Sequence, residues 1–116
     1  MTDSVTSGTI TFDDFLKVDI RSGVITKSET VSKSDKLLKL EVYLGPEIGH
    51  RTIMAGIAKS YDEGALVGIR CLVVVNLVPR KMMGIESHGM LLAGGLEDGT
   101  VMLAACNAST LGTRIG

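Results

Sequence analysis

Aromatic side chains are scarce in this chain, with no tryptophan, two phenylalanines and two tyrosines among 116 residues, or 3% in all. A ligand that stacks base after base along the surface is therefore excluded. Cysteine is scarce too. Cys71 and Cys106 show no CxxC spacing, and His50 and His88 stand alone, so no metal-ligand set can be read. The two thiols read as reduced packing residues of a cytoplasmic protein, with Cys71 held in an apolar run rather than set up as a nucleophile. GxGxxG, the Walker loop and GxSxG are all missing, which removes the usual signals for nucleotide-dependent and hydrolytic chemistry. No enzyme, cofactor or metal is expected. No charge dominates either: twelve basic residues face thirteen acidic ones, for a formal net charge of −1. Any nucleic-acid role must rest on a local patch. No stretch is long and apolar enough to span a membrane. Residues 1–15 lack the basic start and apolar core of a signal peptide. The expected compartment is the cytoplasm, with no membrane partner.

What is present points to a folded domain. A hydrophobic fraction of 45% is too high for a disordered chain, and 116 residues suffice for one core without staples. Residues 1–9 are small, polar and hydroxyl-rich and read as a flexible lead-in; residues 10–116 read as a single domain. Thr11 followed by Asp13 and Asp14 predicts a capped helix over about 12–17, with Phe12, Phe15 and Leu16 on its buried side. Period-two alternation follows. Val18, Ile20, Ser22 and Val24 face one way, and Gly23 in mid-run suggests a bulge or bend. After a polar segment over 28–36, Leu38, Leu40, Val42 and Leu44 oppose Lys39, Glu41 and Tyr43. Gly45, Pro46 and Gly49 mark a turn, and 51–57 is a third strand. Residues 59–67, KSYDEGALV, are the best interior helix, weakened by Gly64. Strands are expected over 69–77 and 90–93, with one more short strand over 101–105 after an EDGT turn. The tail to residue 116 carries no strong signal.

The most informative stretch is 76–90, NLVPRKMMGIESHGM. Apolar runs arrive at it and leave it. Between them lie a proline, the adjacent cations Arg80 and Lys81, two glycines, Ser87 and His88. That is a loop with a cationic tip on a β scaffold, a common place for binding. The order of three strands, short helix and two strands is that of an all-β, five-stranded Greek-key barrel of the OB type. Such barrels bind oligonucleotides on one strand face and on the loops after the first and fourth strands. The first of these loops carries Lys33 and Lys36; the second is 79–87. Barrel order brings the two to one side. Charge is segregated to match: residues 17–39 hold six cations against three acids, and residues 1–16 hold three acids and no base.

Several blocks resemble the tRNA-binding domain found as stand-alone bacterial and archaeal proteins. The same domain is appended to methionyl-tRNA synthetases, to the phenylalanyl synthetase β chain and to synthetase-associated cofactors. The matching blocks are FLKVDIRSG at 15–23, SDKLLKL at 34–40, Arg51-Thr52-Ile53 with Gly56-Ile57, Leu66-Val67-Gly68, and the whole of 76–90. The resemblance implies an OB-fold that grips tRNA by shape and phosphate contacts. It also implies a homodimer built partly from the segment after the barrel, acting in trans as a tRNA-binding module beside an aminoacyl-tRNA synthetase. Where the family often has a basic residue this chain has Val78, which weakens phosphate contact.

Arg80 and Lys81 lead the candidate tRNA-binding residues, against the reading of a solvated turn. Lys33 and Lys36 belong either to the binding loop after the first strand or to an ordinary polar loop. Ser87 either donates to phosphate or caps the following strand. Asn76 either shapes the loop through local backbone or touches RNA. Met90 is core, or reaches a base at the rim. Arg21, Lys39 and Tyr43 fall on polar strand faces, where Tyr43 is a rim residue or a base-stacking one. Two other readings stand beside tRNA binding. An export-chaperone family shares this barrel and dimer but carries a different proline-basic pattern. An assembly domain would recruit a synthetase by protein contacts, for which the Met82-Met83 pair is suited.

Overall fold

The computed structural model describes residues 8–116. The lead-in expected over residues 1–9 lies outside the described residues as far as residue 7. The helix α1 spans Phe12–Phe15, with the Thr11 hydroxyl accepting from the Asp14 amide at 3.1 Å. It is shorter than the 12–17 expected, and the burial expected of its apolar residues is not found. Phe12 is 70% exposed and Leu16 47%, with only Phe15 half-buried. One turn of helix is too short to lay a continuous apolar stripe on a core.

The long strand β1, Ile20–Thr30, organises the rest. It runs beyond the alternating segment read from sequence, into Ser28–Thr30. Along one edge it pairs antiparallel with β4, Arg70–Val74, from Ile20↔Val74 to Val24↔Arg70. Along the other it pairs with β2, Leu38–Tyr43, from Val24↔Tyr43 to Thr30↔Leu38. The register slips between Ile25 and Lys27, where the Thr26 hydroxyl donates to the Glu41 carbonyl at 3.1 Å. The bulge thus lies past Gly23, not at it. Gly23 serves a close approach: a Cβ there would meet Leu44 Cδ2 at 2.7 Å and Val42 Cγ1 at 2.9 Å.

A one-turn helix α2, Gly45–Ile48, with its proline in the first turn, leads to β3, His50–Ala55. β3 pairs with β2 from Leu38↔Ala55 to Tyr43↔His50. The helix expected over 59–67 does not form; only a 3-10 turn, Glu63–Ala65, is present. Leu66 is the one fully buried side chain of that stretch. So narrow an apolar stripe does not offset Gly64 and the cost of helix nucleation. Beyond β4 come β5 (Arg80–Met82), β6 (Ile85–Ser87), β7 (Met90–Leu91), β8 (Ala93–Gly95), β9 (Val101–Leu103) and β10 (Arg114–Ile115). The sheet order β3-β2-β1-β4-β7, with β3 and β7 drawn together, makes a nearly closed five-stranded barrel with the OB arrangement. Ile25, Leu38, Leu40, Val42, Leu44, Ile53, Leu66, Cys71 and Val73 fill it. Burial pushes the Cys71 thiol up to about 12, so it stays protonated in the core; Cys71 and Cys106 are both free.

The tail, silent in sequence, is bound along the free lower edge of β1. β10 pairs with Ile20 and Arg21. Ser22 exchanges backbone bonds with Gly112 and Thr113, and its hydroxyl donates to the Thr110 carbonyl at 3.0 Å. These bonds use backbone and one serine, so no hydrophobic period announces them.

Candidate nucleic-acid interface

The stretch 76–90 is not an open loop with a cationic tip. β5 and β6 form a hairpin whose tip is Met83-Gly84, at φ 54° and 79°. Both central residues lie in the left-handed region that a two-residue hairpin turn of the primed type requires. Arg80 and Lys81 sit on the arm. Their cross-strand partners are Ser87 and Glu86, and neighbours along a strand face opposite ways. Arg80 turns to the barrel with Met82 and Ser87; Lys81 stands opposite Glu86 on the solvent side.

Two bonds fasten the hairpin to β3. The Ser87 hydroxyl, 5% exposed, accepts from the Met54 amide at 2.9 Å. The His88 amide donates to the Thr52 carbonyl at 2.9 Å. The hairpin so covers Met54 from outside while Ile53 packs inside, and β3 is buried on both faces at 53–55.

Asn76 closes the base of the stretch. Its Oδ1 accepts from the Asp19 amide at 2.9 Å and its Nδ2 donates to the Lys17 carbonyl at 2.6 Å. Arg21 lies nearby but is committed: it grips Asp19 through Nε at 2.7 Å and donates to the Gly112 carbonyl at 3.0 Å. The Arg21 hydrogen bond holds the Asp19 carboxyl below its ordinary value.

Three neighbouring clefts, each sharing lining residues with the next, form a furrow-like row along the seam between β3 and β7. Beside the hairpin a cleft of about 120 Å³ holds Arg80, Met82, Met54 and Met90. Met54 and Met90 also line the next, of about 230 Å³, with Ile57 and Val101. Gly56 and Val101 in turn line the third, of about 530 Å³, with Lys36, Lys59 and Ser34. The floor is apolar and both ends are cationic. Of the two loops expected on one side of the barrel, the second borders one end of this row of clefts and the first borders the other. The first is shaped by the Ser34 hydroxyl, which accepts from the Leu37 amide at 3.1 Å, and by Lys33 at φ 68°. It is tied to the far wall by the Ala58 amide on the Lys36 carbonyl at 2.9 Å. Lys59, missed in sequence because it sat in a supposed helix, stands in the same cleft and pairs with Asp35 at 3.8 Å.

The cations divide into two groups. Arg51, Arg70 and Arg114 donate to the carbonyls of Val75, Ala108 and Leu16, as Arg21 does to Gly112. Lys17, Lys27 and Lys59 pair with carboxylates. Among the described residues Lys33, Lys36, Lys39, Arg80 and Lys81 have neither a side-chain hydrogen bond nor an ion pair. All five lie on the two loops and on the outer face of β2. Met90 is 48% exposed at the furrow rim, and Val78 is 84% exposed beside it.

A protein-family model described as "Putative tRNA binding domain" matches residues 20–114. The methionine–tRNA ligase of Methanococcoides burtonii is 46% identical over 107 residues, which is 91% of this chain and 16% of that protein. That of Chloroherpeton thalassium is 50% identical over 97 residues, 84% of this chain and 13% of that protein. The chain spans about one-sixth or less of the length of these ligases. Among solved structures, a MetRS-related protein from Pyrococcus horikoshii superposes with a TM-score of 0.87 at 35% identity, covering 95% of this chain and 100% of that one. The chaperone CsaA of Bacillus anthracis gives 0.85 at 33% identity, covering 94% of this chain and 100% of that one.

Replacing Ser87 by alanine leaves the buried Met54 amide without a partner. The expected cost is about 1–3 kcal/mol of folding stability, read by chemical denaturation. RNA affinity is expected to fall as well, because a loosened hairpin no longer holds Arg80 and Lys81 in place.

Proposed function

The chain belongs to the tRNA-binding domain family, and from that premise we propose that it grips folded tRNA by shape and phosphate contacts rather than by one sequence. The observation that carries this reading is the division of the cations. Arginines that build the fold are spent on carbonyls and carboxylates, whereas five cations on the two loops and the β2 face keep their donors free. A free cation on a fixed scaffold gains most from a phosphate, since it gives up no protein partner to take one. With formal net charge −1, the chain attracts RNA only at this face. Few aromatics and an A-form target both favour backbone over base contacts. In this reading the domain works in trans in the cytoplasm, as a non-catalytic helper beside an aminoacyl-tRNA synthetase. Arg80, Lys81, Lys33, Lys36 and Lys39 make the contacts. Ser87 and Asn76 hold the hairpin in place, and Arg21 braces β1. Met90 meets the ligand at the rim.

A two-fold dimer is part of the proposal. Ile10, Phe12 and Leu16 expose apolar surface beside a cleft of about 290 Å³ lined by Phe15, Val18 and Ile115. A second copy covering this end would present two cationic faces outward. The mass in solution by light scattering is expected to be that of two chains; one chain alone rejects the dimer.

The chaperone reading draws on a separate observation, the methionine-lined furrow floor. Flexible thioethers suit varied apolar partners, and a chaperone shares the fold. The free cations favour RNA over it.

Replacing Arg80 and Lys81 together by alanine is expected to weaken binding of all tRNAs alike. The slope of log affinity against log salt should become shallower by about 2, near 0.9 for each phosphate that no longer meets a cation. Unchanged affinity and slope in that variant reject the hairpin as the binding element.

A further inference from the structure

Away from the furrow, β2 turns Lys39, Glu41 and Tyr43 outward because Leu38, Leu40 and Val42 fill the inward positions. Tyr43 lies opposite His50 in the β2–β3 ladder, and their rings meet with centroids 4.8 Å apart and planes at 44°. The His50 side chain is 53% exposed, and its Nδ1 sits 2.8 Å from Glu41 Oε2. Glu41 is itself braced by Lys27, whose Nζ is 3.7 Å from Oε1. The imidazole is therefore held through one nitrogen, and its other nitrogen has no partner among the described residues.

Neither ring serves the core. The Tyr43 hydroxyl makes no hydrogen bond among the described residues, whereas that of Tyr61 accepts from the Leu103 amide at 2.9 Å. The two phenylalanines belong to α1. In a chain with so few aromatics, this pair is the aromatic surface on the outward face of β2 and β3. The same face runs toward the hairpin. Lys39, with its ammonium free, lies opposite Met54 in the ladder, and Met54 lines the cleft that holds Arg80. Tyr43 is four residues along β2 from Lys39, a distance of about 13 Å.

We propose that the Tyr43–His50 ring pair is a stacking site for an unpaired nucleobase of the bound RNA, with Glu41 orienting His50 and Lys39 meeting a phosphate further along the same strand. A half-buried phenol ring joined to an exposed imidazole accepts any base face and so adds selectivity for unpaired nucleotides without sequence preference. This rests on the tRNA reading above but adds to it: phosphate contacts alone do not distinguish a paired from an unpaired strand.

The test compares bulk tRNA, which has unpaired nucleotides, with a blunt RNA duplex that has none. The wild-type chain is expected to favour tRNA. Tyr43→Ala and His50→Ala are each expected to weaken tRNA binding about tenfold, leaving duplex affinity and the salt slope unchanged, and Tyr43→Phe is expected to retain binding. A readout that leaves the ring pair intact guards against misfolding. With no tryptophan in the chain, tyrosine emission is visible, and a Tyr61→Phe variant leaves Tyr43 as its source. A short oligouridylate should quench that emission. Unchanged tRNA affinity in both alanine variants, or no quenching, overturns the stacking site while leaving phosphate binding intact. Failure of the wild type to bind either RNA overturns the stacking site together with the reading it rests on.

Discussion

The bond between the Ser87 hydroxyl and the Met54 amide is the one on which the candidate interface depends. A short two-stranded hairpin has little stability of its own. This one becomes a fixed wall because a buried hydroxyl and the His88 amide fasten it to β3. Fastened there, it closes one end of the furrow, sets Arg80 against the methionine floor and shuts solvent away from Met54. Released, it would leave an unpaired buried amide and a floor open to water.

The scaffold beneath leaves the candidate binding cations without protein partners. β1 receives β2, β4 and β10, and its lower end is locked by Asp19, Arg21, Ser22, Asn76 and the tail. Charges that could attract phosphate there are already spent on carbonyls and carboxylates. The uncommitted ones are displaced to loops and to the outer face of β2. Fold and site thus use the same residue types in different places, and the partner of each side chain, rather than its type, tells the two uses apart.

The barrel strands were legible because their periods are clean: Leu38, Leu40 and Val42 point in while Lys39, Glu41 and Tyr43 point out. The block 76–90 stands out in the sequence as a candidate site, but its hairpin shape does not. Its turn is Met83-Gly84 in place of the asparagine-glycine or aspartate-glycine that marks such hairpins, so it read as loop. Arg80 and Lys81 looked like one cationic tip, whereas strand alternation sends them to opposite sides. The roles of Ser87 and Asn76 were each open between structure and ligand, and their bonds to Met54, Asp19 and Lys17 come from chain segments far away in sequence. The tail carries no hydrophobic period because backbone pairing, Ser22 and single bonds from Arg21, Arg70 and Arg114 hold it. Residues 59–67 misled because helix propensity is a weak signal where only Leu66 is buried. Lys59 lies in that stretch, and only the chain's actual path there brings it to the cleft it lines.

We propose that a nearly neutral barrel binds folded tRNA through a few free cations. Fluorescence anisotropy of labelled bulk tRNA at low and moderate salt, against duplex DNA of equal length and an unfolded protein, tests it most directly. The account predicts binding that prefers tRNA over both competitors and weakens steeply with salt. No tRNA binding at low salt, together with capture of the unfolded protein, would contradict it and assign the furrow to chaperone work.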